Sequence, residues 1–144
     1  MTFQQHEDKG REKYEAMCRI PHDYTKGQYA KWDVSATAKT DTFNIELKDR
    51  DIPYTRYADE GFLLEKIKYD ALLEAYRETG SIPIYMNFFQ DNVGYYWNLL
   101  DIEPVWETVN CTTTTAAGTY GNKRVGKLVT KLLPVDGVRF NYES

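Results

Sequence analysis

The stretch FNIELKDR, residues 43–50, decides the fold. Phe43, Ile45 and Leu47 alternate with Asn44, Glu46 and Lys48, and a period of two is that of a β-strand with one apolar and one polar face. The apolar side chains turn to the core, so Glu46 and Lys48 stand together on a packed backing, about 7 Å apart along the strand. Glu7-Asp8-Lys9 repeats the Glu-x-Lys spacing but lies in a polar segment with no alternating apolar face. The bland reading of the pair is a salt bridge on a solvated sheet face.

Just upstream, Tyr29, Ala30, Trp32 and Val34 predict a strand that holds Asp33 in or at its end, and the polar residues 36–42 link it to the next. Paired as a hairpin, the two strands bring Asp33 alongside Glu46. Two carboxylates facing one point suit magnesium or manganese, because such ions take one or two protein carboxylates and leave positions for water and phosphate. The carbonyl of Leu47, between the two active side chains, can supply a further oxygen. The ion would polarise a phosphate and acidify an attacking water. Lys48 can orient that water, accept its proton, or stabilise charge on the phosphate; the base role requires a pKa well below about 10.4.

Working outward, residues 7–19 predict a first helix with Tyr14, Met17 and Cys18 on one side. Pro53 closes the central strand, and Leu63, Ile67, Leu72, Leu73 and Tyr76 recur at near-helical spacing until Gly80. SIPIYMNFFQ and GYYWNLLDI then predict a hairpin turning at residues 90–94, with VWETV as a short strand and CTTTTAAGTYGN irregular. A last helix is expected over Lys123–Leu133, with Lys123, Lys127 and Lys131 on its outer face at i, i+4, i+8. Helices and strands in this order predict an α/β (α+β) fold, a central mixed sheet flanked by helices. The expectation is a single domain over 1–144, with a core at about residues 10–100 and a C-terminal extension at about 101–144.

At 144 residues, 42% hydrophobic and 15% aromatic, the chain can bury a core. It carries no apolar run of membrane length and no signal-like start. With Cys18 and Cys111 as its only cysteines, reduced thiols and a cytoplasmic location are expected. Two histidines, His6 and His22, argue against histidine-based catalysis and leave carboxylates and lysines to do any chemistry. The net charge of −4 opposes general coating of nucleic acid, yet residues 120–134 hold Lys123, Arg124, Lys127 and Lys131 and no acid. That face meets phosphates or is simply solvated. Tyr57, Tyr85, Tyr95, Tyr96 and Trp97 offer a base-stacking surface, although core and hairpin positions are the commoner use of such residues.

Taken together, WDV at Asp33, IELKDR at Glu46 and Lys48, the helix LLEKIKYDALLEAY and the strand IPIYMNFF resemble the PD-(D/E)XK (restriction endonuclease-like) nuclease superfamily over about residues 10–100. Trp32 stands where the motif's proline would. The resemblance implies an Mg2+-dependent phosphodiesterase, an endonuclease or structure-selective nuclease, with DNA as the expected partner. It implies a basic residue on the following helix, Lys68 or Lys66 with Lys68 preferred, and an additional acid from the first helix, Glu12 or Glu15. Arg50 either contacts phosphate or ends the strand with a surface charge. A homodimer would set two sites against the two strands of a duplex. The competing expectation is a non-catalytic nucleic-acid-binding or assembly module that retains the nuclease fold.

Overall fold

The computed structural model describes residues 3–17, 22–24, 31–50, 53–54, 62–114 and 120–142. Helix α1 (Phe3–Met17) is followed by β1 (His22–Tyr24), β2 (Val34–Ala38) and β3 (Asp41–Arg50). Then come β4 (Phe62–Glu65), α2 (Lys66–Thr79), β5 (Ile82–Phe89) and β6 (Val93–Asn98). Strands β7 (Glu107–Thr114), β8 (Tyr120–Leu132) and β9 (Val138–Asn141) complete the order.

A six-stranded sheet runs β1-β2-β3-β5-β6-β9, and a second sheet runs β4-β8-β7. The larger sheet is mixed because β3 pairs parallel to β5, whereas every other neighbouring pair is antiparallel. A parallel pair needs a crossover, and α2 supplies it. β3 sits in the middle of the sheet and is covered on both faces, so Asn44, Glu46 and Asp49 are buried along with Ile45 and Leu47. On one face, Tyr14 of α1 packs with Val34, Ile45, Leu47, Met86 and Phe88. Gly10 of α1 is buried against Leu47 of β3, where an added Cβ would stand at an ordinary contact distance of 3.6 Å. On the other face, Leu72 of α2 packs with Phe62, Leu64, Tyr85, Phe89 and Trp97. Trp97 is fully buried, and its Nε1 donates to the Leu133 carbonyl at 2.9 Å, tying β6 to the end of β8.

Several expected elements shift. The strand expected over 29–34 lies later, at Val34–Ala38, where buried Val34 and Ala36 alternate with Ser35 and Thr37; residues 29 and 30 lie outside the described residues. The expected linker is largely strand, turning at Lys39 with a left-handed φ of 57°. The run that reads as one helix from Leu63 begins as a strand. Phe62 and Leu64 point alternately into the core and pair with β8, leaving Ile67 72% exposed on α2. The largest correction is the last helix, which is β8: residues Arg124–Leu132 pair with β7 and β4, not with themselves. The spacing i, i+4, i+8 is a multiple of two as well as a near-multiple of the helical turn, and Val125, Val129 and Thr130 favour the strand. The segment expected to be irregular likewise contributes Cys111–Thr114 to β7. Tyr85, Tyr95 and Trp97 are core residues, not an exposed stacking surface; Tyr57 lies outside the described residues.

Candidate active site

The register of β2 with β3 sets the site. Val34 pairs with Ile45, so Asp33, one residue earlier, sits across from Glu46. Its backbone N–H donates to the Ile45 carbonyl at 3.0 Å, and its Oδ2 accepts from the Leu47 N–H at 2.9 Å. The corner before it is locked by Trp32, whose Nε1 donates to Ser35 Oγ at 3.0 Å while Ser35 Oγ donates to Asn44 Oδ1 at 3.0 Å. The acid is therefore held by backbone and side-chain bonds before any ligand arrives.

Glu46 projects beside it and is only 8% exposed. Burial, and then the neighbouring Asp33 carboxylate, push its carboxyl well above the ordinary value of 4.5, against the pull of Lys68 and Lys48. Its Oε2 lies 3.4 Å from Lys68 Nζ, close enough for an ion pair yet without the alignment of a hydrogen bond, so the buried oxygen has no hydrogen-bond partner. Two crowded carboxylates with an unsatisfied oxygen fit a divalent cation. Among the described residues no group of three His, Cys, Asp or Glu side chains converges. The residues that could hold such an ion are Asp33, Glu46 and a backbone oxygen such as that of Leu47.

Lys48 follows on the same face, its register partner being Asn87 as that of Glu46 is Tyr85. Burial and then the Arg50 guanidinium lower its pKa, with Glu46 and Glu65 opposing. Lys68, in the first turn of α2, behaves oppositely: burial pulls it down, but Glu46 and Asp33 outweigh that and its pKa is raised. Two lysines around one acid pair thus have different protonation tendencies.

Lys66 is engaged elsewhere, 2.6 Å from Asp70 and over the Trp106 ring. Glu12 is exposed on α1, and the exposed Glu15 accepts from Tyr24 Oη at 2.7 Å. Among the described α1 side chains, Arg11 reaches the acid pair, with Nη2 3.6 Å from Asp33 Oδ1. Arg11 was detectable as the margin of the stripe that buries Gly10 and Tyr14. Arg50, expected at a phosphate or on the surface, is used inside the fold. Its Nε donates to Asn87 Oδ1 at 2.7 Å, and its Nη2 to the Leu63 carbonyl at 3.0 Å and Tyr85 Oη at 2.9 Å. Lys127 pairs with Glu65 at 3.1 Å and Lys131 is exposed; the side chains of Lys123 and Arg124 lie outside the described residues.

The mixed sheet with a helix on each side has the restriction endonuclease-like fold. A solved structure with this architecture is that of Hjc, a Holliday junction resolvase from the archaeal hyperthermophile Archaeoglobus fulgidus. It superposes with a TM-score of 0.53 at 11% sequence identity, covering 91% of this chain and 92% of that one. No protein-family model and no curated protein sequence matches the chain. No helix among the described residues is long and apolar enough to cross a membrane.

Proposed function

We propose that the protein is a metal-dependent nuclease that hydrolyses phosphodiester bonds in DNA. The observation that carries this reading is the juxtaposition of Asp33 and Glu46, buried side by side with Lys48 and Lys68 at their rim. A bound Mg2+ or Mn2+ would supply Lewis acidity toward a scissile phosphate. Asp33 is held for that task by the Leu47 N–H, and Glu46 offers an oxygen that no protein donor satisfies. Lys48, with its lowered pKa, is suited to take a proton from water; Lys68, with its raised one, is suited to remain a cation against phosphate.

The structural neighbour is a Holliday junction resolvase, so a four-way DNA junction is the first substrate to test, beside linear duplex and single strands. Two strands of a junction must be cut, which favours a homodimer bearing one site per copy. Purified protein with millimolar Mg2+ or Mn2+ is expected to cleave, and Glu46→Gln or Lys48→Ala to lose roughly 10²- to 10⁴-fold in rate with the fold intact. Unchanged cleavage in both variants would remove these residues from the chemistry.

One observation favours the alternative, a module that keeps the fold without catalysis. Each carboxylate already faces a protein cation, Glu46 facing Lys68 at 3.4 Å and Asp33 facing Arg11 at 3.6 Å. Calorimetric titration separates the two readings. Magnesium binding that disappears in Asp33→Asn supports the nuclease, and no heat at millimolar ion supports the module.

A further inference from the structure

Helix α2 opens with a large apolar side chain that the fold does not bury. Ile67 is 72% exposed between Lys66 and Lys68, although isoleucine is among the residues most often found inside. Leu128 of β8 is exposed as well. Both line one groove between the start of α2 and β8, a space of about 590 Å³ to which Gly126 adds no side chain. That volume is in the range of clefts that hold small organic groups, about 300–1,000 Å³. Lys66, another lining residue, has its ammonium 5.7 Å over the Trp106 ring, and Trp106 in turn packs edge-on against Tyr69 of α2.

The charges around the groove cancel in pairs. Lys66 Nζ lies 2.6 Å from Asp70 Oδ2, and Lys127 Nζ lies 3.1 Å from Glu65 Oε1. The groove therefore has apolar walls and a rim of no net charge, which suits an uncharged organic group and not a phosphate. It also adjoins the acid pair. Ile67 is next in the chain to Lys68, whose Nζ is 3.4 Å from Glu46 Oε2, and consecutive Cα atoms are only about 3.8 Å apart. Glu65, which borders the groove, is close enough for its charge to act on both Lys48 and Lys68. Through the first turn of α2 the groove is continuous with the candidate active site.

We propose that this groove receives an unpaired nucleobase of a DNA strand held at the acid pair, so that Ile67 and Leu128 select DNA with unpaired bases over continuous duplex. A nucleobase is uncharged and flat, and its faces are apolar enough to lie against aliphatic walls. Inside a duplex those faces are covered by the neighbouring pairs, and unstacking a base costs least where it is already unpaired. The groove thus rewards only DNA that offers a free base. The inference rests on reading the chain as acting on DNA, but it does not require that the chain cleave.

The test is fluorescence anisotropy in EDTA with two labelled DNAs, a continuous duplex and the same duplex carrying a single unpaired nucleotide. Wild type is expected to bind the bulged DNA roughly tenfold more tightly, the scale of one stacked base. In Ile67→Ser/Leu128→Ser that ratio should fall to about one, whereas Ile67→Leu, which keeps an apolar wall, should retain it. The ratio is the readout because a general loss of folding lowers both affinities and does not abolish a preference selectively. Equal affinity of wild type for the two DNAs, or an unchanged ratio in the double serine variant, would overturn the inference. So would concentration-dependent self-association of wild type in sedimentation that the double serine variant lacks, because the groove would then belong to a second copy. If the ratio behaves as expected while wild type with metal never cleaves, the base groove stands and the nuclease reading falls. If wild type cleaves but the ratio is one, the reverse holds.

Discussion

Replacing Arg50 by leucine should cost about 2–3 kcal/mol of stability, a figure that follows from which partners are stranded and which are not. The guanidinium serves Asn87 Oδ1, the Leu63 carbonyl and Tyr85 Oη. Tyr85 Oη independently donates to the Leu63 carbonyl at 3.0 Å, so those two groups keep a partner after the substitution. Asn87 does not fare as well. It is completely buried and its Nδ2 already has no hydrogen-bond partner, so losing Arg50 strands its Oδ1 too, at about 1–3 kcal/mol for a buried orphan. Two further bonds from a charged donor also go, and the leucine side chain offsets part of that by packing near Phe89, the register partner of position 50. For a chain of this size the result is a fall of about 6–12 °C in Tm, measurable by calorimetry or urea unfolding. The double variant Arg50→Leu/Asn87→Leu should recover part of the loss, because it removes both members of the bond. A cost below about 0.5 kcal/mol, or strictly additive effects in the double variant, would refute the reasoning. The same change also removes one of the causes of the lowered Lys48 pKa. In a cleaving enzyme that uses neutral Lys48 as the base, the rate profile then moves to higher pH.

Glu46→Gln should stabilise the metal-free protein at neutral pH. The Glu46 carboxyl is raised in the folded state, so its contribution is fully present below the unfolded value of about 4.5 and is lost as pH rises through the folded value. Thermal melts in EDTA should therefore show the variant's advantage growing from pH 4.5 upward; parallel curves would contradict the raised carboxyl. Gly94→Ala should cost about 1–3 kcal/mol by overpacking, because a Cβ there would lie 2.1 Å from Phe140 Cζ and must push β9 away from β6. Urea unfolding checks it, and a loss smaller than that of an exposed Gly126→Ala control would show that the Phe140 ring moves aside freely.

The parts of the fold that were legible in the sequence are those where one period excludes the other. FNIELKDR alternates so strictly that only a strand suits it, and the hairpin at Ile82–Phe89 and Val93–Asn98 is rich in residues that suit a pleated surface. Misreadings arose where both periods fit. Lysines at 123, 127 and 131 satisfy a helix face and a strand face equally, and FLLE before α2 extends a helical spacing although Phe62 and Leu64 are strand residues. What decides such segments is the neighbour they pair with, and for β4 that neighbour, the end of β8, lies more than 60 positions away in the chain. No local window contains it.

The acid pair was legible for the same reason as β3, but the cations around it were not equally so. Lys48 shares a strand with Glu46, so local spacing places it near the acid, whereas Lys68, on α2 beyond β4, was expected there from the family resemblance and not from spacing. Arg11 and Glu65 act across the fold. Arg11 reaches Asp33 because α1 packs on β3 through Tyr14, and Glu65 links the acid pair's surroundings to Lys127 because β4 pairs with β8. Their presence changes what the site demands of a metal. A divalent ion entering between Asp33 and Glu46 must compete with Lys68 and Arg11, at 3.4 and 3.6 Å, and not merely with water. Both cations sit on α1 or α2 and not on the sheet that carries the acids, whereas Asp33 is fixed by the Leu47 N–H. If a divalent ion occupied the acid pair, a bound phosphate would offer Lys68 and Arg11 a new anionic partner. Metal and substrate are then expected to bind with positive coupling, each tighter in the presence of the other.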